Sequence, residues 1–381
     1  MKYITFLTTA RSDFGLLKNL IIETNRLKRF KVSVLATGSH FSKDYGNTFK
    51  EIMDNNIKIS KKIKILSSSN PNDLGIPISK CIRESSIYFK KTKNDLVVIL
   101  GDRYEALSVA IAAHVNKIPI AHIHGGELTL NLMDDAFRHS ITKLSQIHFA
   151  SNKIYRNRII QLGENPKNVF LSGGLGIDSI KNTQFLSRNQ IEKNLGINSN
   201  KKNVIVTLHP ETLEKKFNLK NINILLDSIN DFKKYTNFIF TSPGADVSSN
   251  LIKNRIKKYV KKNKNCYLFN SLGHKKYYSL LRFSNLMLGN SSSGILEMPY
   301  FNKPTINIGS RQKGRLMDNS ITNVEWNKTK IKKAIYKSLS RKKKFKNKYL
   351  FGNGGSTKKI IKILSEIKFD NLIIKKFYDI V

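Results

Sequence analysis

Short apolar runs alternate with longer amphipathic stretches along almost the whole chain. Asp95–Leu100 (DLVVIL) is nearly all apolar, the pattern of a parallel strand covered on both faces. Glu105–Val115 reads as a helix and Ile118–Ile123 as the next strand. Upstream, Tyr3–Thr8 and Phe30–Ala36 read as strands around a helix Phe14–Lys28. Downstream come a helix Asp134–Leu144, a strand Gln146–Ala150, and a short strand Val169–Leu171 that runs into Ser172-Gly173-Gly174, a natural boundary. A second series follows, with strands at Asn203–Leu208, Asn237–Thr241, Cys266–Phe269, Leu286–Leu288 and Thr305–Ile308. Phe351–Gly355 (FGNGG) is a turn cluster, and two helical segments close the chain. This alternation predicts an α/β protein with parallel sheets. The expected layout is a doubly wound domain over 1–172, a second over 173–363 and a tail over 364–381, with the two domains facing across a ligand-binding cleft.

Composition narrows the class. A chain of 381 residues is long for one core and right for two domains. Its 40% hydrophobic content supports ordinary globular burial. Two distant cysteines, Cys81 and Cys266, give neither a disulfide framework nor a CxxC metal site, so a reducing cytoplasmic setting is expected. The amino terminus reads as a first strand rather than a signal peptide, and no apolar run is long enough for a membrane helix. The formal charge of +40 is unusual and raises a nucleic-acid reading. However, the cations are spread along the chain among Asn and Ile, and no zinc-finger, RNP or helix-turn-helix pattern accompanies them. The dense block Arg341–Lys348 is read as solvated surface. The expected partner is instead an anionic small molecule, with no nucleic acid.

The chemistry concentrates in residues 101–139. Gly101-Asp102-Arg103-Tyr104-Glu105 and His122-Ile123-His124-Gly125-Gly126-Glu127 each follow a strand, and Asp134-Asp135-Ala136-Phe137-Arg138-His139 opens the next helix. Ligands of open α/β sheets sit beyond the carboxyl ends of the strands. Asp102 and Glu127 therefore have the placement that acid/base work needs, with His124, Asp134 and Arg138 beside them. Taken singly, an Asp after a strand caps a helix and Gly-Gly makes a turn; it is the combination that points to a site. Arg11 and Asp13 lie in the loop after the first strand and are expected at the same cleft. In the second half, Gly289-Asn290-Ser291-Ser292-Ser293-Gly294 follows a strand and opens a helix, so its N–H groups and hydroxyls suit a phosphate. Glu297, one turn further, suits a ribose hydroxyl, and Arg311 suits phosphate. His209 ends the strand that opens the second domain. The absence of GxGxxG and Walker motifs weakens dinucleotide and ATPase readings.

Taken in order, these motifs resemble the hydrolysing UDP-N-acetylglucosamine 2-epimerases of bacterial sialic acid synthesis. The resemblance runs from about Lys2 to about Leu364 and is carried by TARSDFG (9–15 from Thr9), GDRYEALSVAIAA, IAHIHGGE, DDAFRHSITKLS, QLGENP, TLHPET, GNSSSGILE and INIGSRQKGR; the closing Phe377-Tyr378-Asp379-Ile380 also fits. It implies the GT-B fold. It also implies hydrolysis of UDP-N-acetylglucosamine to N-acetylmannosamine and UDP: C2 deprotonation with loss of UDP gives a glycal, which water then hydrates. No metal or cofactor is implied. By resemblance Asp102, Glu127 and Asp134 form the acid/base set and His209 meets the leaving diphosphate. Arg11 and Arg103 stabilise its charge, while Ser291, Ser292, Glu297 and Arg311 hold UDP. Asp13, Arg138 and His139 complete the expected substrate site, and a homo-oligomer is expected by analogy.

Three positions depart from the family pattern. His124 stands where some relatives carry a catalytic Glu, so the proton role there passes to His124 or Glu127. Gly15 and Gly244 replace residues that touch the nucleotide. The same chemistry on a UDP-linked 2,4-diacetamido-trideoxyhexose or a GDP-linked sugar, for legionaminic acid, stays open at this stage. So do a non-hydrolysing epimerase, which the His-Ile-His-Gly-Gly-Glu segment disfavours, a GT-B glycosyltransferase, and a basic polyanion-binding scaffold resting on charge alone.

Overall fold

The computed structural model describes residues 1–43, 46–65, 74–197, 200–211, 219–243, 249–343, 345, 348–369 and 372–380. Position 244 and Thr212 of the TLHPET motif lie outside the described residues. The chain forms two compact units, each built on its own parallel sheet.

In chain order, the first unit contains β1 (Lys2–Thr8), α1 (Arg11–Arg26), β2 (Phe30–Ala36), α2 (Phe49–Met53), β3 (Lys61–Lys62), α3 (Gly75–Lys91), β4 (Leu96–Leu100) and α4 (Tyr104–Val115). It continues with β5 (Ile120–Ile123), α5 (Met133–Leu144), β6 (Ile147–Ala150), α6 (Lys153–Gln161), β7 (Val169–Leu171) and α7 (Leu175–Lys181). The seven strands run in the order β3-β2-β1-β4-β5-β6-β7, all parallel. The order reverses between β1 and β4, the topological switch point where such sheets bind ligands. Alternate residues of each strand supply the two faces. Ile4 and Phe6 join Phe14, Leu17 and Leu20 of α1 on one side, while Leu7, Val97 and Ile99 join Cys81 of α3 and Val109 of α4 on the other. That two-faced burial explains why these strands read as continuous apolar runs.

The second unit contains α8 (Arg188–Leu195), β8 (Lys202–Thr207), α9 (Leu219–Ile229), β9 (Thr236–Thr241), α10 (Ser249–Lys261), β10 (Cys266–Phe269), α11 (Gly273–Phe283) and β11 (Leu286–Gly289). It ends with α12 (Ser293–Leu296), β12 (Thr305–Ile308), β13 (Ile321–Val324) and α13 (Lys328–Ser340). Its six strands run β10-β9-β8-β11-β12-β13, again all parallel. Val204, Val206, Phe238 and Phe240 pack with Ile222 and Leu225 of α9 and Ile331 of α13. Ile205, Ile239 and Met287 are buried on the opposite face. Two Rossmann-like sheets are thus present, as the GT-B expectation requires. No described helix is long and apolar enough to cross a membrane.

The boundaries expected at 172/173 and 363/364 are displaced. Residues 173–181 and 351–380 belong to the first unit, and Leu128–Leu132 belongs to the second. The reason is packing. The Ser179 hydroxyl donates to the Gly15 carbonyl at 3.0 Å. α14 (Ser356–Glu366) sinks Ile360 and Leu364 into the same apolar cluster as α1. The tail is held as well, because Tyr378 N–H donates to the Gly163 carbonyl at 2.9 Å. α1 also starts earlier than expected, at Arg11, because Asp13 in its first turn collects the donors of the preceding loop.

Candidate active site

In the first unit, one guanidinium organises the acids. Arg138 projects from α5 and is 1% exposed. It donates through one terminal nitrogen to the Asp102 carboxylate, and through the other to the Glu127 backbone carbonyl at 2.9 Å and to Asp135 at 3.1 Å. Burial alone would lower the Arg138 pKa, but the surrounding carboxylates, Asp102 foremost, outweigh it and raise the value. The cation therefore stays charged and locks the loops after β4 and β5 to α5. Asp102 keeps 24% of its side chain exposed, so a carboxylate held from behind still presents an edge to a ligand.

The loop after β5 is shaped for Glu127. His124 has a positive φ of 67°, and its Nδ1 lies 3.4 Å from a Glu127 carboxylate oxygen. The Leu175 N–H reaches His124 Nε2 at 3.4 Å, so Nε2 accepts and Nδ1 is the nitrogen that faces Glu127. The Ser151 hydroxyl donates to the same Glu127 oxygen at 3.3 Å. Gly126 is required here: with φ at 75°, a Cβ on it would sit 2.3 Å from the Tyr155 carbonyl. The question left at position 124 thus gains a geometry, with His124 and Glu127 acting as a contacting pair.

His122 works beneath the site. Its Nε2–H donates to the Gly101 carbonyl at 2.8 Å, just before Asp102. Complete burial pushes its pKa down to about 3, so the ring is neutral and structural. Asp134 stands in the first turn of α5, one residue before Asp135. His139 lies 3.5 Å from Asp135, and burial lowers its pKa.

Two expectations shift. Asp13 was expected in a loop facing ligand, but it sits in the first turn of α1 and spends its carboxylate inward. It accepts from the Thr8 hydroxyl, from Thr9 N–H at 2.8 Å and from Ala10 N–H at 3.1 Å. Burial raises its pKa against those bonds, and its place is that of a loop organiser. Arg11 opens α1 rather than the loop, and its charge acts on Glu51.

In the second unit, Asn290 after β11 clamps His209, two residues past the end of β8. Its side chain accepts from His209 N–H at 2.7 Å and donates to the His209 carbonyl at 2.9 Å. Gln312 and Arg311 in turn donate to the Asn290 carbonyl at 2.9 and 3.2 Å. His209, Asn290 and Arg311 are therefore one connected group. Glu297 accepts hydroxyls from Tyr278 at 2.9 Å and from Ser293, and burial raises its pKa. A carboxylate offers about four acceptor positions, so capacity for a ligand hydroxyl remains. The Ser291 hydroxyl accepts from Ser293 N–H at 3.3 Å, and Ser292 is the N-cap of α12. The expected helix after Ser293 is only one turn, Ser293–Leu296, because Pro299 two residues beyond Glu297 lacks an N–H. The dipole argument for phosphate is correspondingly weaker, and the hydroxyls and Arg311 carry more of it.

Sequence reasoning gave no site role of their own to Asp135 and Asn290, quoted only within their motifs, and none to Gln312 and Tyr278. Asp135 was visible at helical spacing from His139. The other three gain meaning only when distant loops meet.

Two doubly wound parallel sheets, each in its own unit, define a GT-B protein. The family model described as UDP-N-acetylglucosamine 2-epimerase matches residues 22–365, and the chain belongs to this family, in its hydrolysing group of nucleotide-sugar 2-epimerases. It is 43% identical over 326 residues to a Campylobacter jejuni GDP/UDP-N,N'-diacetylbacillosamine 2-epimerase (hydrolyzing), covering 85% of this chain and 84% of that protein. It is 35% identical to the Escherichia coli polysialic acid biosynthesis protein P7, covering 100% and 98%. The solved Neisseria meningitidis UDP-GlcNAc 2-epimerase bound to UDP-GlcNAc has the same fold, with TM-score 0.80 at 20% identity over 96% of this chain and 100% of that one.

Proposed function

We propose that the chain hydrolyses a UDP-linked 2-acetamido sugar with inversion at C2, releasing UDP and the free 2-epimeric sugar. The observation that carries this reading is the buried Arg138, which fixes Asp102 through its side chain and Glu127 through its backbone. Inversion at one carbon needs proton removal from one face and delivery to the other. Two rigidly held acids meet that need. In the proposed sequence one of the acids removes the C2 proton as the C1–O bond breaks and UDP leaves with its electron pair, giving a glycal. Water then adds its hydroxyl at C1, and C2 receives a proton from the other face. Asp102 and Glu127 are the transfer groups, His124 stands in contact with Glu127, and Asp134 completes the set. His209, Ser291, Ser292, Glu297 and Arg311 hold UDP, with Arg11 and Arg103 meeting the departing charge and His139 at the sugar.

For the sugar, the 43% identity to the diacetylbacillosamine enzyme supports a 2,4-diacetamido-trideoxyhexose as the first reading. A second reading, UDP-N-acetylglucosamine for sialic acid synthesis, is favoured by the end-to-end match to the polysialic acid protein. Proton NMR in deuterated water with the two nucleotide sugars offered side by side separates them. Free UDP and a C2-deuterated 2-epimer are expected from the diacetamido substrate. Turnover of UDP-N-acetylglucosamine alone would overturn the first reading and establish the second. Product without deuterium at C2 would sink the mechanism.

A further inference from the structure

Glu105 lies in the first turn of α4, two residues after Arg103. It is completely buried, 0% exposed, at the end of the sheet where the order reverses between β1 and β4. A glutamate is rarely buried to that degree unless paired, and Arg103 supplies a cationic partner, its Nε–H donating to Glu105 Oε2 at 3.1 Å. The other oxygen backs onto the loop after β2: a Cβ on Gly38 would lie 2.7 Å from Oε1 and 2.4 Å from the Thr9 carbonyl. Gly38 is thus the residue that leaves space for the Glu105 carboxylate in its present position. Arg103 keeps 25% of its side chain exposed, and its guanidinium carbon lies 5.9 Å from the Tyr104 ring centroid. A guanidinium held at Nε and against an aromatic ring has its plane set, while its two terminal nitrogens form the edge suited to bidentate contact with phosphate.

We propose that Glu105 is a positioning residue for Arg103: by accepting the Nε–H it fixes the guanidinium plane so that the terminal edge meets the diphosphate leaving the sugar. The inference rests on the reading of Arg103 as the group that meets that charge. Burying a carboxylate for this purpose has a visible cost, since burial raises the Glu105 pKa and the Arg103 charge opposes it. An uncommitted polar residue at that position would not need the charge.

The test is a double-mutant cycle on kcat/KM with melting temperatures recorded throughout. Glu105→Leu removes the acceptor and is expected to lower kcat/KM about 100-fold, the scale of a catalytic group displaced by an ångström. Glu105→Gln keeps an acceptor of the same shape and is expected to recover all but about 10-fold of it. In an Arg103→Gln background, Glu105→Leu is expected to have almost no further effect, since its target is gone. Additive losses in the cycle, with Arg103→Gln itself impaired, overturn the positioning role and leave the Arg103 reading intact. Full activity of Arg103→Gln overturns both. A parent protein that turns over neither nucleotide sugar sinks the functional reading and this inference with it.

Discussion

At the scale of single residues, the most consequential side chain is Arg138. Removing it strands Asp102 and Asp135 without their shared cation and leaves the Glu127 carbonyl without its donor. Breaking a buried pair by deleting one partner costs about 3–5 kcal/mol when both members are buried. Asp102 is partly exposed, so the lower end applies. Arg138→Leu is expected to lower stability by about 3 kcal/mol in denaturant titration and to abolish turnover. A loss under about 1 kcal/mol would mean the acids repair themselves with water. Asp102→Asn is the complementary variant, expected to fold normally while losing about 100-fold or more in kcat. A pH effect also belongs here. His40 is fully buried between the Thr8 and Thr48 hydroxyls, each at 2.9 Å, and burial lowers its pKa to about 4 from 6.5. The unfolded chain therefore takes up the proton first on acidification. The stability from neutral His40 is whole above pH 6.5 and is lost as pH falls toward 4, at up to about 1.4 kcal/mol per pH unit. Buried Asp13, Glu105 and Glu297, with raised values, act in the opposite sense, so the His40 contribution is the difference between parent and variant. His40→Gln should melt with a shallower dependence between pH 6.5 and 4; equal slopes would exclude the assignment.

At the scale of elements, strands proved easier to read than helices. Phe30–Ala36, Val169–Leu171, Cys266–Phe269 and Thr305–Ile308 stand where the apolar runs placed them, because even a partly exposed strand such as Phe30–Ala36 keeps enough apolar positions against the core to mark a run. β13 (Ile321–Val324) was passed over for the complementary reason: its middle residues Thr322 and Asn323 are exposed at the sheet edge, so no run marks it. The closing helices are α13 and α14, one on each side of the turn cluster. Nothing local in Ser356–Glu366 shows that it packs with α1, since that depends on chain return rather than composition. Asp102 and Glu127 were legible because they fall within a few residues of the ends of β4 and β5. The Asn290–His209 clamp was not, because its partners lie 81 positions apart. The tail offers an element-scale test. Glu164, 3% exposed, accepts from Lys143 of α5 at 2.8 Å, from His148 of β6 at 3.0 Å and from Lys375 of the tail at 2.9 Å. Burial alone would raise its pKa; the bonds and charges of those partners prevail and hold it at about 2. The linked stability, roughly 3 kcal/mol for such a shift, is present above the unfolded value near 4.5 and lost as pH falls toward 2. Glu164→Gln should forfeit most of it at pH 7 and expose the segment around Lys375 to limited proteolysis. An unchanged digestion pattern would show that the tail's other contacts, the Tyr378–Gly163 bond among them, suffice to hold it.

At the scale of the whole molecule, the charge has a distribution as well as a sum. Residues 182–350 carry 34 Lys and Arg against 9 Asp and Glu, out of 67 and 27 in the chain. The excess therefore favours the unit that holds the hydroxyl-rich loop and Arg311. A net field of this sign raises the local concentration of an anionic ligand and its rate of arrival. It cannot distinguish one nucleotide sugar from another, which is the task of direct contacts. The two effects separate with salt, because the Debye length falls from about 30 Å at 0.01 M to about 8 Å at 0.15 M. Surface lysines are then screened while hydrogen-bonded groups such as Glu297, Arg311 and the Arg138 cluster keep their partners. Steady-state kinetics from low to physiological ionic strength should therefore show KM for the UDP-sugar rising several-fold with kcat nearly constant. A flat KM would mean that the cations are a solvated coat with no part in capture. A falling kcat would mean instead that salt reaches the acid/base groups, contrary to a site whose organising arginine is 1% exposed.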